Sequence, residues 1–332
     1  GEKEKKIQSA GLKDLDPAPH FDLVIIDEAH HIRNGSMEKE KVLFVTSEAV
    51  PFIKTGGLAD VAGTLPKYFD KEKYDVRVVL PKYSCMNVKF KNELYYKTNF
   101  YMQISWKNLY VGIFETTIDG VQFYFIDNEY YFNCDKPYSS DIKWDIERYS
   151  FFSKAALSIL PTIDFRPDII HCHDWQAAMS VVYLNTRYRN KPAFEHIKSV
   201  FTIHNIEYQG QYDMSILGDV FELGVEHSSL MHYDDCINLM KAAIVCADTV
   251  STVSPRYAEE IKTAEYAHRL NYVLEQNAYK LRGILNGIDY DYYNPAKDLG
   301  LVATFDARRL AGKAKDKAAM QAEAGLPVRE DV

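Results

Sequence analysis

Three short runs of this sequence gather residue types that can do chemistry on a phosphorylated or hydroxyl-rich ligand. The first is Lys54-Thr55-Gly56-Gly57-Leu58-Ala59-Asp60-Val61, a glycine pair opening a helical pattern just after an apolar strand. Glycines let a phosphate approach the backbone, a helix start offers unpaired N–H groups and partial positive charge, and Lys54 adds a point charge. A tight turn beside a solvated lysine accounts for the same residues equally well. The second run, His171-Cys172-His173-Asp174-Trp175, closes a strand predicted over Asp168 to His171. It thereby falls at the strand edge where open α/β sheets bind ligands. Histidines at i and i+2 on a strand share a face, which is compatible with metal binding. The further His and carboxylates of a binuclear hydrolase are absent, so no metal site is expected and His171 reads as packed. The third run, Asp27-Glu28-Ala29-His30, ends the apolar stretch Leu23 to Ile26 and offers carboxylates of the kind that hold Mg²⁺ and orient an attacking water. That chemistry also needs a G-x-x-x-x-G-K-[ST] phosphate cradle, which none of the preceding residues supplies.

The elements that must position these runs alternate in type from Lys41 onward. Strands are predicted at Lys41 to Thr46, Asp75 to Leu80, Leu109 to Thr116, Val121 to Ile126, Asp168 to His171, Ser199 to His204, Thr249 to Val253 and Leu281 to Leu285. Helices are predicted at Gly57 to Phe69, Ile146 to Leu160, Trp175 to Arg187, Cys236 to Ala247, Pro255 to Thr263 and Asn271 to Asn277. Several strands are nearly continuous apolar runs, as in a parallel sheet covered on both faces. The expected fold is therefore α/β, a Rossmann-like doubly wound parallel sheet. Asp119-Gly120 between two alternating segments predicts one antiparallel hairpin inside Val111 to Asp127. No internal repeat is present.

Composition excludes several function classes. The 332 residues carry 39 Lys and Arg against 47 Asp and Glu, a net charge of -8, and no basic block long enough to follow a phosphate backbone, so nucleic acid is not an expected partner. No apolar run approaches the roughly eighteen residues of a membrane span. The charged start Gly1 to Lys6 is followed by no apolar signal core, so a cytoplasmic location and no membrane contact are expected. The 5 cysteines are scattered without a C-x-x-C pair, which fits reduced thiols. The 24 tyrosines suit sugar-stacking surfaces and half-buried strand positions alike.

Beyond the glycine run, four further segments carry a family resemblance. His171-Cys172-His173-Asp174-Trp175, Thr202-Ile203-His204-Asn205-Ile206-Glu207-Tyr208-Gln209-Gly210, Thr252-Val253-Ser254-Pro255-Arg256-Tyr257-Ala258 and Leu281-Arg282-Gly283-Ile284-Leu285-Asn286-Gly287-Ile288-Asp289 follow it in order. Together they resemble the bacterial glycogen synthases and plant starch synthases over about residues 40 to 325. The resemblance implies the N-terminal half of a GT-B glycosyltransferase, residues 37 to 332, with the C-terminal GT-B domain absent. It implies a retaining transfer of glucose from ADP-glucose to the non-reducing end of an α-1,4-glucan such as glycogen, with no cofactor. This chain alone is then expected to be nearly inactive, because donor phosphates must be clamped from two domains. Carried over residue by residue, Lys54 and His173 are the catalytic candidates. Lys54, Gly56, Gly57, His173 and Asn205 would bind the nucleotide-sugar, and Asp60, Asp145, Tyr208 and Gln209 the acceptor. For Asp60 an acidic residue in a helix first turn is the bland alternative, and for Tyr208 ordinary loop packing.

Two segments depart from the family pattern. Trp144 replaces a polar contact ahead of Asp145, and Tyr266-Ala267-His268-Arg269-Leu270 stands where a glycine-bearing loop is usual. Residues 1 to 36 resemble motif II of Swi/Snf-type helicases and read as a foreign leader. Two other classes compete with the synthase reading: an α-glucan-binding module without transfer activity, and a helicase-type ATPase fragment. Glycogen retention without turnover would mark the first, and ATP hydrolysis lost in Glu28→Gln the second.

Overall fold

A computed structural model describes residues 38–332. The expectations placed on the leader, including Asp27 and Glu28, lie outside the described residues. Two compact units divide the described chain, 38–286 and 287–332.

The larger unit is built on strands β1 (Glu40–Val45), β2 (Tyr74–Pro81), β3 (Tyr95–Ile104), β4 (Lys107–Ile118), β5 (Val121–Asp127), β6 (Ile169–His173), β7 (Lys198–Ile203), β8 (Gln211–Tyr212), β9 (His232–Tyr233), β10 (Cys236–Asn238), β11 (Thr249–Thr252) and β12 (Leu281–Gly283). Nine of them form one sheet in the order β12-β11-β7-β6-β1-β2-β5-β4-β3. From β12 to β5 every neighbour is parallel, while β4 and β3 add an antiparallel edge. The predicted hairpin is present: Ile118 pairs with Val121, and Asp119 and Gly120 sit at φ 52° and 74°, the left-handed pair that a two-residue primed turn needs. Strand β3 is the one sheet member the sequence pattern hides. Its turn to β4 is Ser105-Trp106, with Ser105 at φ 54° and no glycine or asparagine to announce it.

Period-two alternation sets the two faces of the sheet. Leu43 and Val45 of β1 enter a core with Ile170 and Cys172, covered by helices α2 (Ile142–Ser158), α3 (Asp174–Tyr183) and α4 (Leu239–Cys246). Val42 and Phe44 enter the opposite core, where α1 (Gly57–Tyr68) contributes Leu58 and Ala62. Each such fully buried aliphatic or aromatic side chain contributes about 1.5–3 kcal/mol. Caps fix where helices begin. The Asp141 carboxylate accepts the Trp144 N–H at 3.1 Å and starts α2 earlier than its apolar pattern does. Asn238 accepts the Lys241 N–H at 2.9 Å and starts α4 after Cys236–Asn238, which pairs with β8 and β9 as a small separate sheet instead of extending the helix as predicted. Helix α3 is likewise shorter than its pattern, passing at Leu184–Tyr188 into a π-type turn.

The chain runs from β1 outward to β2 and β5, then returns to lay β6, β7, β11 and β12 on the other side of β1. Strand order therefore reverses between β1 and β6, the place where open α/β sheets leave a crevice beyond the carboxyl ends of their strands. Both principal motifs of the sequence follow those two strands. No helix among the described residues is long and apolar enough to cross a membrane.

Candidate functional site

The loop from β1 to α1 forms one wall of the switch point. Gly56 is the residue before α1, in extended conformation, with no side chain capping the helix start. A Cβ built on Gly56 or Gly57 would meet no protein atom within 4 Å, and neither residue has a left-handed φ, so the fold does not demand glycine at either position. Gly63, nearly two turns further on, contrasts with them: its Cβ would lie 2.2 Å from the Val50 carbonyl oxygen. Lys54 Nζ meets the Asp60 carboxylate at 2.8 Å, across half-exposed side chains. Beneath the loop lies Glu48, a buried carboxylate that the sequence reading passed over. It accepts from the Thr55 N–H and, at 2.9 Å, from the Thr55 hydroxyl. Burial pushes its carboxyl up despite those hydrogen bonds. Tyrosines hold the segment from behind. Tyr83 donates to the Ser47 carbonyl at 2.8 Å, and the Tyr138 hydroxyl meets Ser47 Oγ at 2.8 Å.

The second wall is the ends of β6 and β7. His173 is the last residue of β6, not beyond it as the predicted strand implied. Sharing one face as the i, i+2 spacing requires, His171 and His173 stack at 4.2 Å, and Phe44 packs against both at 4.6 and 5.0 Å. His171 Nε2 meets Thr202 Oγ1 at 2.6 Å, which meets Ser251 Oγ at 2.6 Å, so His171 is a packed strand residue. His173 Nδ1 meets His204 Nε2 at 3.0 Å, while its buried Nε2 has no partner. Burial, aided by the neighbouring imidazoles, depresses His173 well below the ordinary histidine range and His171 to about 3, favouring the neutral form of both rings. Among the described residues no group of three or more His, Cys, Asp or Glu is arranged to hold a metal ion. Asp174, at φ 55°, accepts the His204 N–H at 2.7 Å and the Asn205 N–H at 3.4 Å. Its carboxyl is pushed up to about 7, chiefly by burial and to a smaller extent by the charge of Glu48.

The remaining candidates separate into exposed and interior groups. Asn205 is exposed, and its side-chain oxygen accepts the Glu207 N–H at 2.9 Å. Tyr208 is 61% exposed. Gln209, expected on the acceptor, is 5% exposed, donates to the Ile206 and His268 carbonyls at 3.0 Å each, and accepts from Asn238 at 2.7 Å. With both amide ends committed inside the protein, Gln209 braces its loop. Asp145, also expected on the acceptor, is likewise interior. It is 3% exposed, bound to the 1% exposed Arg148 at 2.8 Å, and accepts the Ser139 N–H at 3.0 Å. Burial signalled neither change in the sequence, since an i, i+3 acid–base pair on a helix is more often a surface feature. In the loop where the family pattern carries glycine, His268 and Arg269 both adopt left-handed φ, 45° and 78°. Tyrosine abundance is explained partly by interior posts such as Tyr83, Tyr131, Tyr149 and Tyr183, all fully buried.

A mostly parallel doubly wound sheet, with a glycine-bearing helix start and a histidine-lined strand end at its switch point, defines a Rossmann-like domain. Comparison with known proteins narrows that class. The family model described as starch synthase catalytic domain matches residues 41–276, and the chain belongs to this family. It is 50% identical over 291 residues to a glycogen synthase of Lachnospira eligens, covering 86% of this chain and 60% of that protein. A glycogen synthase of Desulforamulus reducens is 44% identical over 294 residues, covering 88% of this chain and 61% of the relative. The solved catalytic domain of starch synthase IV from Arabidopsis thaliana, bound to ADP and acarbose, superposes with a TM-score of 0.78 at 35% identity, covering 87% of this chain and 60% of that chain. The fold is thus that of the GT-B starch synthase catalytic domain, as the motif order implied. The chain spans about 60% of the length of the curated relatives it matches.

Proposed function

We propose that this chain supplies the glycine-loop half of a glycogen or starch synthase that transfers glucose, with retention, from ADP-glucose to the non-reducing end of an α-1,4-glucan. The observation that carries the reading is the empty space over Gly56 and Gly57. Two adjacent glycines that no protein contact or backbone angle requires are explained by a ligand that approaches the backbone there. In this reading the diphosphate lies against the first-turn amides of α1, and Lys54 exchanges its Asp60 partner for a phosphate as negative charge develops on the leaving group. Asp60 is then released toward acceptor hydroxyls.

His173 faces the transferred sugar, which requires the groups covering its buried ring to move aside. Asn205 and the exposed Tyr208 extend the site, Tyr208 offering a ring on which a glucan can stack. The ADP and acarbose bound to the starch synthase IV catalytic domain support a nucleotide and a glucan-like occupant of such a crevice. A second domain of the GT-B architecture and a cytoplasmic setting complete the proposal, and transfer by this chain alone is expected to fall far below that of a two-domain enzyme. Residues 1–36 enter it only as a foreign leader.

Isothermal titration with ADP-glucose tests the reading. Gly57→Ala should keep the fold within about 1 kcal/mol of wild type, since its Cβ meets open space. It should nevertheless weaken ADP-glucose about tenfold, as should Lys54→Ala. Wild-type affinity in both variants would refute the placement of the phosphates.

A further inference from the structure

Glu48 carries a role that the family motifs do not assign. It lies three residues past β1, is 2% exposed, and holds Thr55 of the Lys54–Gly57 loop, whose residues are largely open to solvent. Three features define its contacts. Its carboxylate takes the Thr55 N–H and, at 3.0 and 2.9 Å, the Thr55 hydroxyl, and the Gly56 N–H also interacts with it. Tyr138 also interacts with it, and its charge acts on Asp174, the first residue of α3. The residue before α1, Gly56, has no side chain with which to cap it.

A buried anion at this position is unexpected on electrostatic grounds alone. If the crevice receives a diphosphate, a second carboxylate beside it repels the ligand, and neutralising that carboxylate should tighten binding. The hydrogen bonds make a different demand. At the glycine pair no protein atom lies within 4 Å of a prospective Cβ, while the Lys54–Asp60 pair spans it and Glu48 holds Thr55 just ahead of it. Glu48 takes the Thr55 amide just ahead of α1, and the next amides are those of the first helical turn, Gly57 to Ala59. Those are the donors a helix start leaves without intrahelical partners.

We propose that Glu48 is a positioning residue: its carboxylate grips the Thr55 amide and hydroxyl and so presets the amides at the start of α1 for an anionic ligand, the gain in preorganisation outweighing the repulsion of its charge. This role rests on the nucleotide-sugar reading of the crevice for the identity of the anion, though not for the grip itself. Asp174 uses the same device one strand away, holding the His204 and Asn205 amides from the end of β6.

The test uses the full chain with ADP as the probe anion and maltoheptaose as the control ligand, in wild type, Glu48→Ala, Glu48→Gln and Thr55→Val. Positioning requires that Glu48→Ala weaken ADP about tenfold although it removes a negative charge. Glu48→Gln, which keeps one acceptor for the Thr55 N–H, should recover most of that loss. Thr55→Val should weaken ADP in the same direction, and maltoheptaose should bind all four proteins alike. Unchanged or tighter ADP binding in Glu48→Ala overturns the proposal in favour of simple repulsion. Parallel loss of both ligands overturns it in favour of a general structural role. The amide proton resonances of Thr55 and Gly56 give an independent reading. They should lie downfield in wild type and move upfield in Glu48→Ala, and absence of that movement overturns the grip. If wild type binds no ADP while the amide signature is present, the nucleotide-sugar reading fails and the grip stands.

Discussion

Removing the Asp145 carboxylate strands a buried cation, and the structure fixes what that should cost. The Arg148 guanidinium is 1% exposed and meets Asp145 through Nε at 2.9 Å and Nη2 at 2.8 Å. Deleting one partner of a buried ion pair costs about 3–5 kcal/mol, because the survivor keeps its desolvation without its counter-charge. Arg148 also donates to the Pro137 and Tyr131 carbonyls, so the lower end applies and Asp145→Ala should cost about 3 kcal/mol. At 2–4 °C per kcal/mol for a domain of this size, the melting temperature should fall by roughly 6–12 °C. Replacing both partners, as in Asp145→Leu with Arg148→Met, should recover most of the loss, since burial of the pair is itself expensive. The assay is urea unfolding of each variant, with maltoheptaose affinity measured on the folded protein. A residue that only contacts acceptor sugar would give the opposite result, weaker glucan binding at unchanged stability. A stability change under about 1 kcal/mol in Asp145→Ala would refute the reasoning.

Two further substitutions probe the walls of the site. His171 has its proton affinity pushed down to about 3 from an ordinary 6.5, so its contribution to stability is complete above pH 6.5 and is lost as pH falls toward 3. His171→Gln cannot take up that proton. Its stability relative to wild type should therefore improve by up to about 1.4 kcal/mol per pH unit below 6.5, and a pH-independent difference in paired urea titrations would contradict this. Asp174 and Glu48, both raised, carry the opposite sign in both proteins and cancel in the comparison. Gly210 sits at φ +65° with a prospective Cβ 2.6 Å from Trp175 Cε3, so Gly210→Ala should cost about 2–5 kcal/mol in thermal or urea unfolding, and a neutral result would show that Trp175 yields freely.

How much of this was legible in the sequence depends on where each signal lies. The parallel strands of the sheet were readable because burial on both faces writes them as apolar runs, as in Val42 to Val45. The glycine pair and His173 were readable because their types mark a helix start and a strand end, and the structure sets both beside the β1/β6 reversal. Strand β3 was not, since Tyr95, Tyr96 and Tyr101 are exposed and its turn lacks turn residues. The same limit hid Glu48, Gln209 and Asp145. A polar letter does not say whether its side chain faces solvent or an interior partner, and only the tertiary packing decides it. An acidic residue placed shortly after the first strand of an α/β sheet was the one available hint of Glu48.

The most direct test of the central claim is to map where ADP touches this chain, by amide chemical shifts during titration. The account predicts the largest changes at Lys54 to Asp60 and at the His173–Asn205 side of the crevice, with the β3–β4 edge silent. Changes concentrated away from the β1/β6 switch point, or none at saturating ADP, would contradict it.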